Sequence, residues 1–315
     1  MRIVFMGTPD FAVPCLEILL KNQYDVAAVV TAADKPAGRG QQIVESAVKK
    51  CAVKHGLKIL QPEKLKSETF IEELKNLQAD LFVIVAFRML PEIVWNMPKK
   101  GSINLHASLL PQYRGAAPLN WAIINGEKET GISTFFLKHE IDTGSIIYQS
   151  KIPVTDTMTV GELHDTAMHL GAELMLKTVN DIRDNKVQEI PQSEIMQKLG
   201  LEENNLKHAP KIFKPDMLIN WTKNAQEVFN LIRGLSPYPS AFTQLNGLNL
   251  KIYKSEILEK SNTLSPGEYS TDGKSYLAFK CSDKLINVLE LQLEGKKKMN
   301  VEDFLRGYKL DPRTL

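Results

Sequence analysis

The chain predicts an α/β protein, a doubly wound and mostly parallel sheet followed by a small β-barrel. Three observations carry this. Short apolar runs alternate with amphipathic helical patterns through the first half. A polar stretch containing Lys and Pro, without periodicity, follows from Asn185 to Pro215. Beyond it come short alternating strands separated by Gly and Ser-Asn turns.

Taken in order, Arg2–Met6 is an apolar strand stopped by Gly7-Thr8-Pro9-Asp10, and Phe11–Lys21 is amphipathic. Strands follow at Asp25–Thr31, Lys58–Leu60, Ala79–Ala86, Ser102–His106 and Gly131–Leu137, with helical patterns at Val44–His55 and Thr69–Leu77. A long helix starts at a Thr-x-x-Glu capping box, Thr159 to Glu162, and runs towards Asp184. A further helix, Ala225–Leu235, is stopped by Ser-Pro-Tyr-Pro. The strands Ser240–Leu245, Leu248–Leu258, Ser275–Lys280 and Leu285–Leu293 suggest a barrel of the oligonucleotide-binding (OB-like) kind. The reading is a catalytic domain over 1–184, a linker over 185–210 and a C-terminal domain over 211–315.

At 315 residues there is enough chain for two cores, and 43% apolar with 24% charged residues excludes a disordered or collagen-like polymer. Three widely spaced cysteines, Cys15, Cys51 and Cys281, form neither a disulfide frame nor a zinc cluster, which points to the cytoplasm. The opening apolar run is broken too early for a signal peptide, and no run reaches membrane-spanning length. Residues 207–315 carry 17 Lys+Arg against 12 Asp+Glu, a net +5 on a body of −3. That asymmetry suits a polyanionic partner such as RNA, although ordinary surface lysines would also explain it.

The sharpest chemical signal is Asn104-Leu-His106. Period-two alternation puts Asn104 and His106 on one face at the end of a strand, where α/β sheets bind ligands. An amide and an imidazole converging on one carbonyl suit acyl transfer, as oxyanion donor and proton handler. A carboxylate to orient the imidazole is offered by Lys138-His139-Glu140-Ile141-Asp142-Thr143-Gly144, by either Glu140 or Asp142. The spacing of His106, His139, Glu140 and Asp142 matches no standard metal-ligand pattern, so no metal is expected. After the first strand the G-x-G-x-x-G fingerprint is absent and Pro9 removes an amide, which counts against a nicotinamide enzyme. The loop Asp34–Gln42 is basic, and its Arg39 could reach a phosphate or base.

Six segments together resemble the methionyl-tRNA formyltransferase family of folate-dependent formyltransferases over nearly the whole chain. They are Met6–Ala12, Asp34–Gly40, Asn104–Pro111, Tyr113–Pro118, Ile141–Gly144 and Ile232–Pro239. The resemblance implies transfer of the formyl group of 10-formyltetrahydrofolate to the α-amino group of methionine on initiator tRNA. It puts the catalytic trio on Asn104, His106 and Asp142, choosing Asp142 over Glu140, and the folate contacts on Ser108, Leu109, Leu110 and Pro111. Arg39 and Lys35 of the basic loop are implied to engage the tRNA acceptor end, and Phe11 the methionyl side chain. Two departures stand out: Ala107 replaces a Pro or Gly, and Ala86-Phe87-Arg88 replaces an Ala-Tyr-Gly. No obligatory protein partner is inferred, and the chain is read as a monomer. The rival readings are a nucleotide-sugar N-formyltransferase and a non-catalytic RNA-binding protein. The Gly-Arg-Gly loop with the basic tail weighs against the first, and the intact trio against the second.

Overall fold

The computed structural model describes residues 1–37, 42–260 and 263–311, which form two compact units. The first comprises Met1–Gly115, Thr130–Ile152 and His164–His208; the second comprises Ala116–Glu129, Pro153–Leu163 and Ala209–Leu315. No helix among the described residues is long and apolar enough to cross a membrane.

The first unit is built on a sheet of seven strands: β1 (Arg2–Gly7), β2 (Asp25–Val30), β3 (Ile59–Leu60), β4 (Leu81–Val85), β5 (Ser102–His106), β6 (Glu129–Phe136) and β7 (Ile146–Pro153). Their spatial order is β7-β6-β5-β4-β1-β2-β3. The pairs β1–β2, β1–β4, β2–β3 and β4–β5 are parallel, and β5–β6 is antiparallel. The central strands are buried on both faces, as a helix-covered parallel sheet requires. Val4, Met6, Phe82 and Ile84 pack with Phe70 and Leu74 of the helix Glu68–Asn76, while Ile3 and Phe5 are fully buried on the opposite face.

Besides the single turn Glu92–Trp95, the α-helices among the described residues are α1 (Val13–Lys21), α2 (Ala47–Lys54), α3 (Glu68–Asn76), α4 (Pro118–Ile124), α5 (Val160–Arg183), α6 (Gln192–Leu199), α7 (Ala225–Gly234) and α8 (Val301–Gly307). The helical pattern expected from Val44 begins only at Ala47. The cause is local: Lys35–Ala37 pairs with Gln42–Val44 as an antiparallel hairpin, and Ser46 caps α2 by accepting from the Lys49 amide at 3.0 Å. The capping box at Thr159 is present, with the Thr159 amide donating to Glu162 at 2.8 Å and the Glu162 amide to Thr159 Oγ1 at 3.3 Å. The polar stretch 185–210 contains α6, which has two half-buried residues, Ile195 and Met196, to show a periodicity.

The second unit carries an antiparallel sheet of β8 (Ala241–Leu245), β9 (Leu248–Leu258), β10 (Tyr269–Thr271), β11 (Leu277–Lys280), β12 (Leu285–Leu293) and β13 (Met299–Asn300). Its order is β8-β9-β12-β11-β10 with β13 on β12, and among the described residues its two ends do not pair, so the expected small barrel takes the form of a half-barrel. Val228 and Ile232 of α7, with Phe304 of α8, pack onto Leu250, Ile252, Phe279 and Leu291 in one core. Arg233 is buried: its Nε donates to Asn230 at 2.9 Å and its Nη1 to the carbonyls of Thr155 and Met158 at 3.2 and 3.0 Å. Burial holds its pKa below the usual arginine value. The arginine of the Ile-Arg-Gly-Leu-Ser-Pro-Tyr-Pro segment therefore ties backbone together within this unit.

Candidate active site

Strand β5 pairs with β4 on one side, Asn104 opposite Ile84, and with β6 on the other, Asn104 opposite Phe135 and His106 opposite Ser133. Ile103 and Leu105 are buried, and a Cβ on Gly171 of α5 would lie 2.7 Å from Leu105 Cδ2, so glycine lets this helix approach the strand without displacing that side chain. Asn104 and His106 share the other strand face at its carboxyl end. Asn104 is half-buried and its side chain makes no hydrogen bond among the described residues.

His106 is 6% exposed and held from two sides. Its Nε2 donates to the Tyr113 carbonyl at 2.8 Å, a carbonyl being able only to accept. That contact assigns the proton on Nε2 and leaves Nδ1 facing Asp142. Asp142 Oδ2 lies 3.7 Å from Nδ1, an ion-pair separation too long for a hydrogen bond. The same oxygen accepts from the Gly115 amide at 3.0 Å. Glu140 is exposed, and His139 turns outward to Glu92, 3.6 Å away, so of the two carboxylates it is Asp142 that stands beside the imidazole.

Asp142 itself has φ +55°, left-handed backbone that a short polar side chain tolerates. Its loop closes through Gly144, where a Cβ would fall 1.6 Å from the Phe136 carbonyl oxygen. Neither feature is visible from residue spacing, and neither are the partners Tyr113, Gly115 and Gln192. Gln192 donates from Nε2 to the Asp142 and Gly144 carbonyls at 2.7 and 2.9 Å. The signal that could have flagged it is Pro191, which stands at the N-cap just before a polar helical start.

Ser108, Leu110 and Pro111 are buried, while Leu109 is half-buried. The Ser108 hydroxyl donates to the Gln112 carbonyl at 2.6 Å. Ser133 Oγ donates to the Ser108 carbonyl at 2.6 Å, and Gln149 Nε2 to the Leu110 carbonyl at 2.9 Å. The hydrogen bonds of this segment thus shape the loop, and Leu109 is its half-buried member. Arg88 donates to the carbonyls of Glu63 (2.9 Å) and Pro62 and lies 5.6 Å from the Phe87 ring centroid. Phe11, 7% exposed, packs on His164 with ring centroids 5.3 Å apart. Lys35 is exposed at the start of its hairpin strand; Arg39 lies outside the described residues.

A buried imidazole with a carboxylate 3.7 Å away, on the same strand face as a half-buried side-chain amide, is an arrangement able to polarise a carbonyl and move a proton. Family comparison agrees. Residues 1–179 match the formyl transferase family and residues 211–309 its C-terminal domain, and the chain belongs to this family. Among its relatives, the methionyl-tRNA formyltransferase of Bacteroides fragilis is 53% identical over 315 residues, covering 98% of this chain and 96% of that one. The enzyme of the same name from Phocaeicola vulgatus is 55% identical with the same coverage. Solved structures share the architecture at lower identity. An N-formyltransferase from Helicobacter canadensis, in complex with folinic acid and dTDP-3-aminofucose, superposes with TM-score 0.65 at 21% identity over 95% of this chain and 100% of that one. HypX from Aquifex aeolicus gives 0.65 at 16% over 99% of this chain and 49% of that one. At such identities these structures show the fold alone.

Proposed function

We propose that this chain transfers the formyl group of 10-formyltetrahydrofolate to the α-amino group of methionine esterified to initiator tRNA. It would act as a monomer in the cytoplasm, where tRNA is charged. Residues 1–184 carry the chemistry, and 211–315, the more basic part, engage the tRNA. The single observation that carries the reading is the His106–Asp142 pair set next to the unpartnered amide of Asn104, in a family of formyl transferases. A half-buried amide whose donors are unused fits a carbonyl oxygen.

The nucleophile needs little help. A free α-amino group titrates near ~7.7–8.0, and an adjacent ester lowers it, so much of it is neutral at pH 7. As its nitrogen bonds to the formyl carbon, the carbonyl electron pair moves onto oxygen, where Asn104 Nδ2 and a protonated His106 Nδ1 stabilise the charge. Collapse breaks the bond from carbon to the folate nitrogen, which takes a proton, while the attacking amine loses one. Asp142 keeps the imidazolium oriented and relays the amine's proton. Leu109 and the main chain of Ser108–Pro111 form the folate wall, and Lys35 and Arg39 meet the acceptor end.

The test is radiolabelled formyl transfer with charged initiator tRNA and, in parallel, amino-sugar nucleotides as acceptors. Label entering the tRNA and not the sugars supports the reading; the reverse replaces it with sugar formylation.

A further inference from the structure

The geometry points to Gln192, oriented by Arg114, as a positioning residue that sets the Asp142 loop for catalysis. This rests on the reading that Asp142 takes part in formyl transfer. Gln192 opens α6 and is 4% exposed, yet both ends of its amide are used. Oε1 accepts from Arg114 Nε at 3.1 Å and Nη2 at 2.8 Å. A guanidinium has donors only, so it forces the oxygen towards itself and the NH2 towards the Asp142 and Gly144 carbonyls. Arg114 is in turn braced by Glu203, 2.5 Å from Nη1.

The residue after Arg114 completes the arrangement, because the Gly115 amide holds Asp142 Oδ2. One short segment therefore fixes the Asp142 carboxylate directly and its backbone through Gln192. The loop has reason to need this. Asp142 sits in left-handed backbone and Gly144 has no room for a Cβ, so the conformation is imposed from outside. At 3.7 Å from His106 Nδ1, a small drift of Asp142 would leave the imidazolium without its carboxylate.

Misplacing a group by ~1 Å costs about 10²-fold in rate, so Gln192→Ala should lower kcat on the order of 10- to 100-fold with KM for tRNA and folate unchanged. Gln192→Glu should fall as far: it keeps the acceptor for Arg114 but turns an acceptor onto two carbonyls. It also covers the case in which the alanine variant fails to fold. In an Asp142→Ala background, Gln192→Ala should add nothing, whereas a general loss of structure would lower kcat in both backgrounds. Wild-type kcat in Gln192→Glu, or equal factors in the two backgrounds, overturns the proposal. Failure of the wild-type chain to formylate charged initiator tRNA would instead remove the reading beneath it.

Discussion

At the scale of single residues, what distinguishes His106 is that both of its nitrogens face acceptor oxygens, one neutral and one anionic. Nε2 is committed to the Tyr113 carbonyl, and Nδ1 faces a carboxylate held by an amide. Burial makes both interactions stronger than they would be in water. The loop carrying that carboxylate tolerates no added atom at Gly144, where the nearest backbone oxygen stands 1.6 Å from a built Cβ. Gly144→Ala should therefore shift the Asp142 loop and lower both thermal stability and kcat, seen in a melt and a formylation assay on the same sample. A variant with wild-type values would mean the loop relaxes freely. The placing of Asn104 and His106 on one strand was legible in sequence because strand alternation is a local rule. The Gln192 contact was not, since it joins residues 50 apart in sequence, one of them in a polar stretch without periodicity. Arg39 lies outside the described residues, so its role rests on the resemblance.

At the scale of elements, three strands, Ser102–His106, Leu248–Leu258 and Leu285–Leu293, have the bounds their sequences suggest. Others escaped for physical reasons. β7 interleaves polar residues at a sheet edge, and α6 buries too little to show a stripe. The turn after β10 shows how side chains set such connections. Asp272 accepts from the Ser275 hydroxyl at 2.5 Å and from the amides of Ser275 and Lys274 at 2.7 and 2.8 Å. The Ser275 hydrogen bond, with these amides, holds its carboxyl well below the usual carboxylate range. A depressed folded value means the turn's contribution is complete above about pH 4 and is lost as pH falls through the folded value. Asp272→Ala should thus melt below the wild-type chain at neutral pH, with the gap narrowing on acidification. A gap independent of pH would show that the charge is not what stabilises the turn.

At the scale of the whole molecule, charge is divided unevenly: 17 Lys+Arg and 12 Asp+Glu lie in residues 207–315. An acceptor carrying a phosphate backbone responds to such a surface through counterion release. Binding of charged initiator tRNA should weaken with salt at a log–log slope of several units, measured by filter binding across ionic strength. A slope near that of a sugar nucleotide, with two phosphates, would argue for the smaller acceptor. The fold class was legible because the alternation of strand and helix is repeated many times. The open end of the second sheet was not, because closure depends on pairing between distant strands. The most direct measurement is single-turnover formyl transfer to charged initiator tRNA by the wild-type chain, Asn104→Ala and His106→Ala. Each variant should lose about 10²- to 10³-fold in rate while binding the tRNA almost as tightly. Undiminished transfer by His106→Ala would contradict the account.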